Sequence, residues 1–146
     1  MPLGPDLAEA YRRALYVVYG APDLVIRIGE PNPVLDSLLD EDGAETAAYL
    51  TAANPNGELQ DAAANELSCA ALHQALADAG YSCYAGEGRD PKGKWPAEPS
   101  VLAVGISRRE AMLLGRSYEQ NAIVFIERGA VPELVVLLSG GRTPTT

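Results

Sequence analysis

Residues 46–85 read TAAYLTAANPNGELQDAAANELSCAALHQALADAGYSCYA, and this stretch decides the fold. Thr46 to Ala53 is mostly apolar and predicts a strand. Asn54-Pro55-Asn56-Gly57 is a strong turn signal, because Pro presets φ while Asn and Gly tolerate positive φ. Residues 59–79 predict the longest helix. One apolar stripe runs through Leu59, Ala63, Leu67, Ala70 and Ala71, and Cys69, Leu72, Leu76 and Ala79 continue it. Gly80 supplies a C-terminal stop. Tyr81 to Ala85 predicts the next strand.

Downstream, residues 86–100 read as a polar loop rich in Gly and Pro, and Val101 to Ile106 as a very apolar strand. Ser107 caps a helix over 108–118, with Glu110 placed as in a capping box. Asn121 to Glu127 predicts another strand, which turns at Gly129-Ala130 and pairs back with Pro132 to Leu138. From 46 to 127 the order is therefore strand, helix, strand, strand, helix, strand. That is the split βαβ arrangement of a ferredoxin-like α+β fold, with two helices on one face of an antiparallel sheet. Upstream, Asp6 suits an N-cap, and Leu7, Tyr11, Ala14, Leu15 and Val18 recur at helical spacing, which predicts a helix over 6–19. Leu24 to Ile28 predicts a short strand, and Asn32 and Pro33 open a helix over 33–39. The N-terminal helix and strand and the final strand are expected to extend the sheet or cover its other face. Residues 1–138 form one expected domain, and the tail Ser139 to Thr146 is expected to fray.

The totals narrow the function classes. A chain of 146 residues buries enough surface to fold without metal or disulfide. A formal charge of -9 opposes binding to nucleic-acid backbones and to anionic membranes. The N-terminus lacks a basic region followed by an apolar run, and no apolar stretch is long enough to span a bilayer, so the expected location is cytoplasmic. Cys69, Cys83 and His73 do not form a zinc set, and two small buried thiols suit the cysteines better than a disulfide. The acidic residues Asp36, Asp40, Glu41, Asp42 and Glu45 lack the alternation of a calcium loop and read as a solvated helix end. No cofactor is implied.

Three polar groups stand out as candidate ligand-binding residues. Asn54, Asn56 and Asn65 lie where a core strand meets the long helix. An inward Asn must satisfy its donors and acceptor. It does so either by holding the turn or by lining a pocket. The loop 86–100 carries the only lysines, Lys92 and Lys94, the only tryptophan, Trp95, and Arg89. Loops of that length are usually functional or disordered. The cations there suit phosphate or carboxylate. Gln120 and Asn121 sit between a helix end and a strand. Arg108 and Arg109 open a helix, where positive charge opposes the dipole, so they are expected to face a carboxylate or an anion. His73 reads as a half-exposed helix residue. No nucleophile–base pair is legible, and no catalytic residue is assigned.

The chain resembles a family of uncharacterised bacterial proteins, domain-of-unknown-function family 3293. The resemblance rests on Ala52 to Pro55, Asn65, Gly93, Trp95, Glu98, Ser100, Gly105 and the run Gln120-Asn121-Ala122-Ile123, and it covers roughly residues 10–137. It implies a small single-domain bacterial protein and carries no activity or catalytic residue. It also implies that Asn54, Asn65, Trp95 and Gln120 share one neighbourhood. The expected function is a non-enzymatic binding or regulatory domain for a small anionic or nucleotide-like ligand, or for an acidic protein segment. The alternative is a hydrolase or transferase acting on a phosphorylated or nucleotide substrate, with Glu98 or Glu119 as general base. A homodimer through the edge strand 132–138 is a further expectation.

Overall fold

A computed structural model of the chain describes residues 5–137. The expected tail Ser139 to Thr146 lies outside the described residues. In chain order the elements are α1 (Pro5–Arg13), β1 (Leu15–Val18), β2 (Leu24–Ile26), α2 (Pro33–Glu41), β3 (Thr46–Thr51), a 3-10 turn (Pro55–Gly57), α3 (Ala62–Asp78), β4 (Ser82–Arg89), β5 (Glu98–Val104), α4 (Arg108–Ser117), β6 (Ala122–Glu127) and β7 (Glu133–Val136). The seven strands form one antiparallel sheet in the order β2-β1-β4-β5-β3-β6-β7. The fold is mixed α/β.

Alternation along β3 sorts the two faces. Ala48 and Leu50 face one core with Leu72 and Leu76 of α3 and Ala111 of α4. Ala47 and Tyr49 face a second core with Leu35 and Leu39 of α2. Both faces of a central strand are thus apolar, which explains its unbroken apolar run. Each fully buried Leu contributes about 1.5–3 kcal/mol by leaving water. Local signals set the helix ends. Asn32 accepts from the Leu35 amide, with Pro33 in the first turn of α2, and Ser107 accepts from the Glu110 amide.

Several elements differ from the sequence reading. The helix expected over 6–19 ends at Arg13, and Leu15–Val18 is a strand. Leu15 and Val18 match helical spacing from Tyr11 only by coincidence. Pairing with β2 on one side and β4 on the other overrides it, as expected for a run of Tyr and Val. The strand expected over 24–28 ends at Ile26. The long helix starts at Ala62, capped by Asp61, which accepts from the Ala64 amide. Its buried stripe is Asn65, Cys69, Leu72 and Leu76, whereas Leu59 and Leu67 are 71% and 75% exposed. The expected loop 86–100 is strand at both ends. β4 runs through Gly86 and Gly88 to Arg89, and β5 begins at Glu98, so only residues 90–97 connect them. Pro99 fits because it sits near the start of its strand.

Other expectations find partners. Cys69 and Cys83 are free thiols. Burial pushes the Cys69 thiol up, which disfavours a nucleophilic role. Arg108 pairs with Glu133 and lies 4.6 Å from the Phe125 ring centroid, so the carboxylate it was expected to face is on β7. In the acidic patch, Asp40 and Glu45 bind Arg128, Asp36 accepts from the Gly129 amide, and Asp42 accepts from the Tyr84 hydroxyl. β7 is an edge of the sheet, as β2 is at the other end.

Gly86 is required by close approach. A Cβ there would lie 1.8 Å from the Val17 carbonyl oxygen and 3.0 Å from the Tyr49 hydroxyl. At Gly88 a Cβ would meet nothing within 4 Å. Gly86→Ala is therefore expected to cost about 1–3 kcal/mol through forced separation of β1 from β4. Gly88→Ala is expected to be neutral or to stabilise by about 0.4–1 kcal/mol through lost freedom of the unfolded chain. Urea denaturation of the two variants checks the contrast. Equal effects would exclude the close approach at Gly86.

Candidate functional site

A hollow of about 230 Å³ lies between α1 and the sheet, on the face that α2 covers further along. The same alternation that builds that core builds the hollow. Thr51 follows Ala47 and Tyr49 on β3, Ser100 and Glu98 precede Leu102 on β5, and Ala122 precedes Val124 on β6. All of these line the hollow apart from Ala47 and Leu102. Tyr16, Gly88 and Glu98 fall on one cross-strand row through β1, β4 and β5. The missing side chain at Gly88 leaves the gap between the tyrosine and the carboxylate. Leu7, Ala10 and Tyr11 of α1, with Ala14 just after it, close the opposite wall. Their i, i+3, i+4, i+7 spacing puts them on one helix face.

Glu98 carries the main charge within these walls. Asn54 Nδ2 donates to Glu98 Oε2 at 2.6 Å. Burial pushes the Glu98 carboxyl above the usual range, and the Asn54 hydrogen bond offsets part of that rise. Three tyrosines stand around it. Tyr49 Oη donates to the Val17 carbonyl at 2.6 Å, and Tyr16 Oη donates to the Tyr11 carbonyl at 2.5 Å. The Tyr16 and Tyr49 rings meet edge to face, 5.4 Å between centroids. Asn121 Nδ2 reaches the Tyr11 hydroxyl at 3.4 Å. Burial pushes all three phenols up, so they stay neutral.

A carboxamide network fixes this wall. Asn54 is in the left-handed conformation, φ 48° and ψ 61°, and is buried. Its amide donates to Asn65 Oδ1 at 2.9 Å, and Asn65 Nδ2 donates back to Asn54 Oδ1 at 3.0 Å. The Gln60 amide also donates to Asn54 Oδ1, and Gln60 Nε2 donates to Asn65 Oδ1. From α4's end, Gln120 Nε2 donates to the Ala53 carbonyl at 2.9 Å. Of the two roles open to Asn65, holding the turn is the one it performs, through the Asn54 amide and side chain; Asn54 itself lines the hollow.

The expected site residues therefore divide. Asn54, Gln120, Trp95 and Arg89 line the hollow, and Asn65 and Asn121 brace lining residues. Arg89 is exposed and its Nε donates to Glu87. Trp95 is 42% exposed. Asn56 is exposed on the turn, where its Nδ2 lies 3.3 Å from Glu119 Oε1. Lys92 and Lys94 are exposed, are not among the lining residues, and have their amides on the Asp90 carboxylate. His73 is half-buried on α3 and also outside the hollow. Sequence reasoning missed Tyr11, Tyr16 and Tyr49. A tyrosine inside an apolar strand, as at Tyr49, is the available signal, since its hydroxyl must find a partner.

Two outcomes follow from this geometry. Asn65→Ala strips the buried Asn54 amide of its acceptor and is expected to cost about 1–3 kcal/mol, read by urea denaturation. Glu98 has a folded pKa above its unfolded one, so its contribution is fully present below the unfolded pKa and is lost as pH rises through the folded pKa. Glu98→Gln is expected to be more stable than wild type at neutral pH, with the gap closing as pH falls to about 4. A gap independent of pH would contradict the burial of this carboxyl.

No curated protein and no solved structure matches the chain. A family model described as Protein of unknown function (DUF3293) matches residues 50–123, the half of the chain that holds Asn54, Asn65, Trp95, Glu98 and Gln120. The chain belongs to this family of proteins of unknown function, DUF3293.

Proposed function

We propose that the protein is a small-molecule-binding domain whose ligand occupies the hollow between α1 and the sheet. One observation carries the reading: a preformed concavity of about 230 Å³ with mostly apolar and aromatic walls, on which Glu98, Asn54, Ser100 and Gln120 converge. Ligand sites have this composition, apolar walls for affinity and a few fixed polar groups for orientation. The polar groups are held by the Asn54–Asn65 pair and by strands, so little ordering is left for binding to cost. In this reading Asn54, Gln120, Trp95 and Arg89 meet the ligand, and Asn65 and Asn121 position their neighbours.

The frame of the site, residues 46–127, is read as a ferredoxin-like split βαβ core. The strand order β4-β5-β3-β6 and the packing of α3 and α4 on one face support this. An anionic or nucleotide-like ligand, or an acidic protein segment, would call on Lys92 and Lys94, which lie outside the hollow, and would meet the Glu98 carboxyl inside it. The geometry favours a ligand with an apolar body and a hydrogen-bond donor.

A second reading, a hydrolase or transferase, draws on the same carboxyl. Glu98 sits in a concave pocket with its affinity for a proton raised, which suits a general base. Glu119, the other candidate, is exposed and outside the lining.

A thermal-shift screen of a metabolite library tests the binding reading. Compounds that raise the wild-type Tm by about 5 °C or more, at concentrations ~100-fold above Kd, are expected to lose their effect in Gly88→Phe, which fills the hollow. They are expected to keep it in Lys92→Ala/Lys94→Ala. Shifts that survive Gly88→Phe, or that vanish in the lysine variant, overturn the site. Mass spectrometry of the stabilising compounds after incubation separates the second reading. Turnover that falls by about 10²–10⁴ in Glu98→Gln while binding persists marks an enzyme.

A further inference from the structure

We infer that the ligand of the hollow is a small organic cation, an amine on an aromatic or alkyl body, with its ammonium group against Glu98. The inference deepens the binding reading above and rests on it.

The charges inside the walls are one-sided. Glu98 carries the carboxyl, and its hydrogen-bond partner, Asn54, is neutral. Among the described residues Glu98 makes no ion pair. Among the described residues Arg89 is the only cation on the lining, and it is exposed and paired with Glu87. A carboxylate drawn out of water is stabilised by a matching cation, and none of the described residues supplies one to Glu98, which leaves that place open to a ligand.

The walls suit the same guest. Tyr11, Tyr16, Tyr49 and Trp95 all line the hollow. Aromatic faces attract ammonium groups, most strongly where water is excluded. A carboxylate beside several rings recognises an amine by charge and by ring faces together, and it repels phosphates and carboxylates. The formal charge of -9 adds a long-range attraction for cations. Size sets the rest. A cavity of ~150 Å³ takes benzene, so one of about 230 Å³ takes a guest of roughly ten non-hydrogen atoms.

Three probes of matched size test this by NMR titration of the full chain near neutral pH: phenethylamine, phenethyl alcohol and phenylacetate. Phenethylamine is expected to bind wild type about tenfold more tightly than the alcohol, and phenylacetate weakest. Glu98→Gln, which keeps the volume and an acceptor for Asn54, is expected to bring the amine to the level of the alcohol. Gly88→Phe is expected to abolish binding of all three. If the alcohol or phenylacetate binds wild type as tightly as the amine, and Gly88→Phe removes that binding, the cation is wrong and the hollow stands as a site. An amine preference that survives in Glu98→Gln also overturns the cation. If no probe binds, or if Gly88→Phe changes nothing, both the inference and the binding reading fall. The wild-type comparison decides even where a variant does not fold.

Discussion

Asn54 is where the structure is pinned. β3 ends three residues earlier, at Thr51, and at Asn54 the chain turns left-handed, a conformation that most L residues adopt only under constraint. The constraint is a reciprocal pair of hydrogen bonds with Asn65, one turn into α3. Asn is suited to both places. Its short carboxamide tolerates the left-handed region and offers a donor and an acceptor side by side. Each polar atom of the Asn54 side chain has a partner, so a buried polar residue that would otherwise cost stability becomes a fixed junction. Through that junction β3, α3 and β5 are tied together, and the Glu98 carboxyl is held in place.

The hollow follows from two missing side chains and one short helix. Gly86 lets the Val17 carbonyl and the Tyr49 hydroxyl approach β4, which sets the depth of β1 against the sheet. Gly88, one step along the same face, leaves open space where any other residue would place a side chain. α2 reaches only the far part of this face, with Leu35 and Leu39 in that core. α1 and the residue after it cover the near part through Leu7, Ala10, Tyr11 and Ala14, and the gap between the two helices is the hollow. The hollow between them coincides with Glu98 and with the rings of Tyr11, Tyr16, Tyr49 and Trp95.

Such a place is costly to keep for structure alone. A carboxyl with its proton affinity raised by burial destabilises the fold at neutral pH, and an apolar filling would do better. Natural proteins accept costs of this kind at functional sites. The same reasoning separates the hollow from the loop at 90–97. Lys92 and Lys94 there carry exposed charges on a hairpin connection whose backbone amides donate hydrogen bonds to the Asp90 carboxylate, and an exposed turn accounts for them.

The alternation of apolar residues and the turn chemistry determined a good part of the fold. The strand at 46, the Asn-Pro-Asn-Gly turn, the long helix, the Ser107 cap and the β6–β7 hairpin are all local in origin, so local sequence specifies them. A shared neighbourhood for Asn54, Asn65, Trp95 and Gln120 was implied by the family resemblance, not by spacing; Asn54, Trp95 and Gln120 line one hollow and Asn65 braces Asn54. The rest depended on distant partners. Leu15–Val18 fits a helix or a strand by spacing, and only the open edges of β2 and β4 chose between them. Gly86, Gly88 and Pro99 resemble loop residues by type, yet they continue strands because close contact demands glycine at the first and a strand start tolerates proline. The stripe of α3 was misplaced around Leu59 and Leu67 because an alanine-rich helix gives little contrast between its faces. The tyrosine wall and the placement of Glu98 among rings were settled by tertiary structure alone, since Tyr11, Tyr16 and Tyr49 come from three elements whose proximity no local spacing encodes.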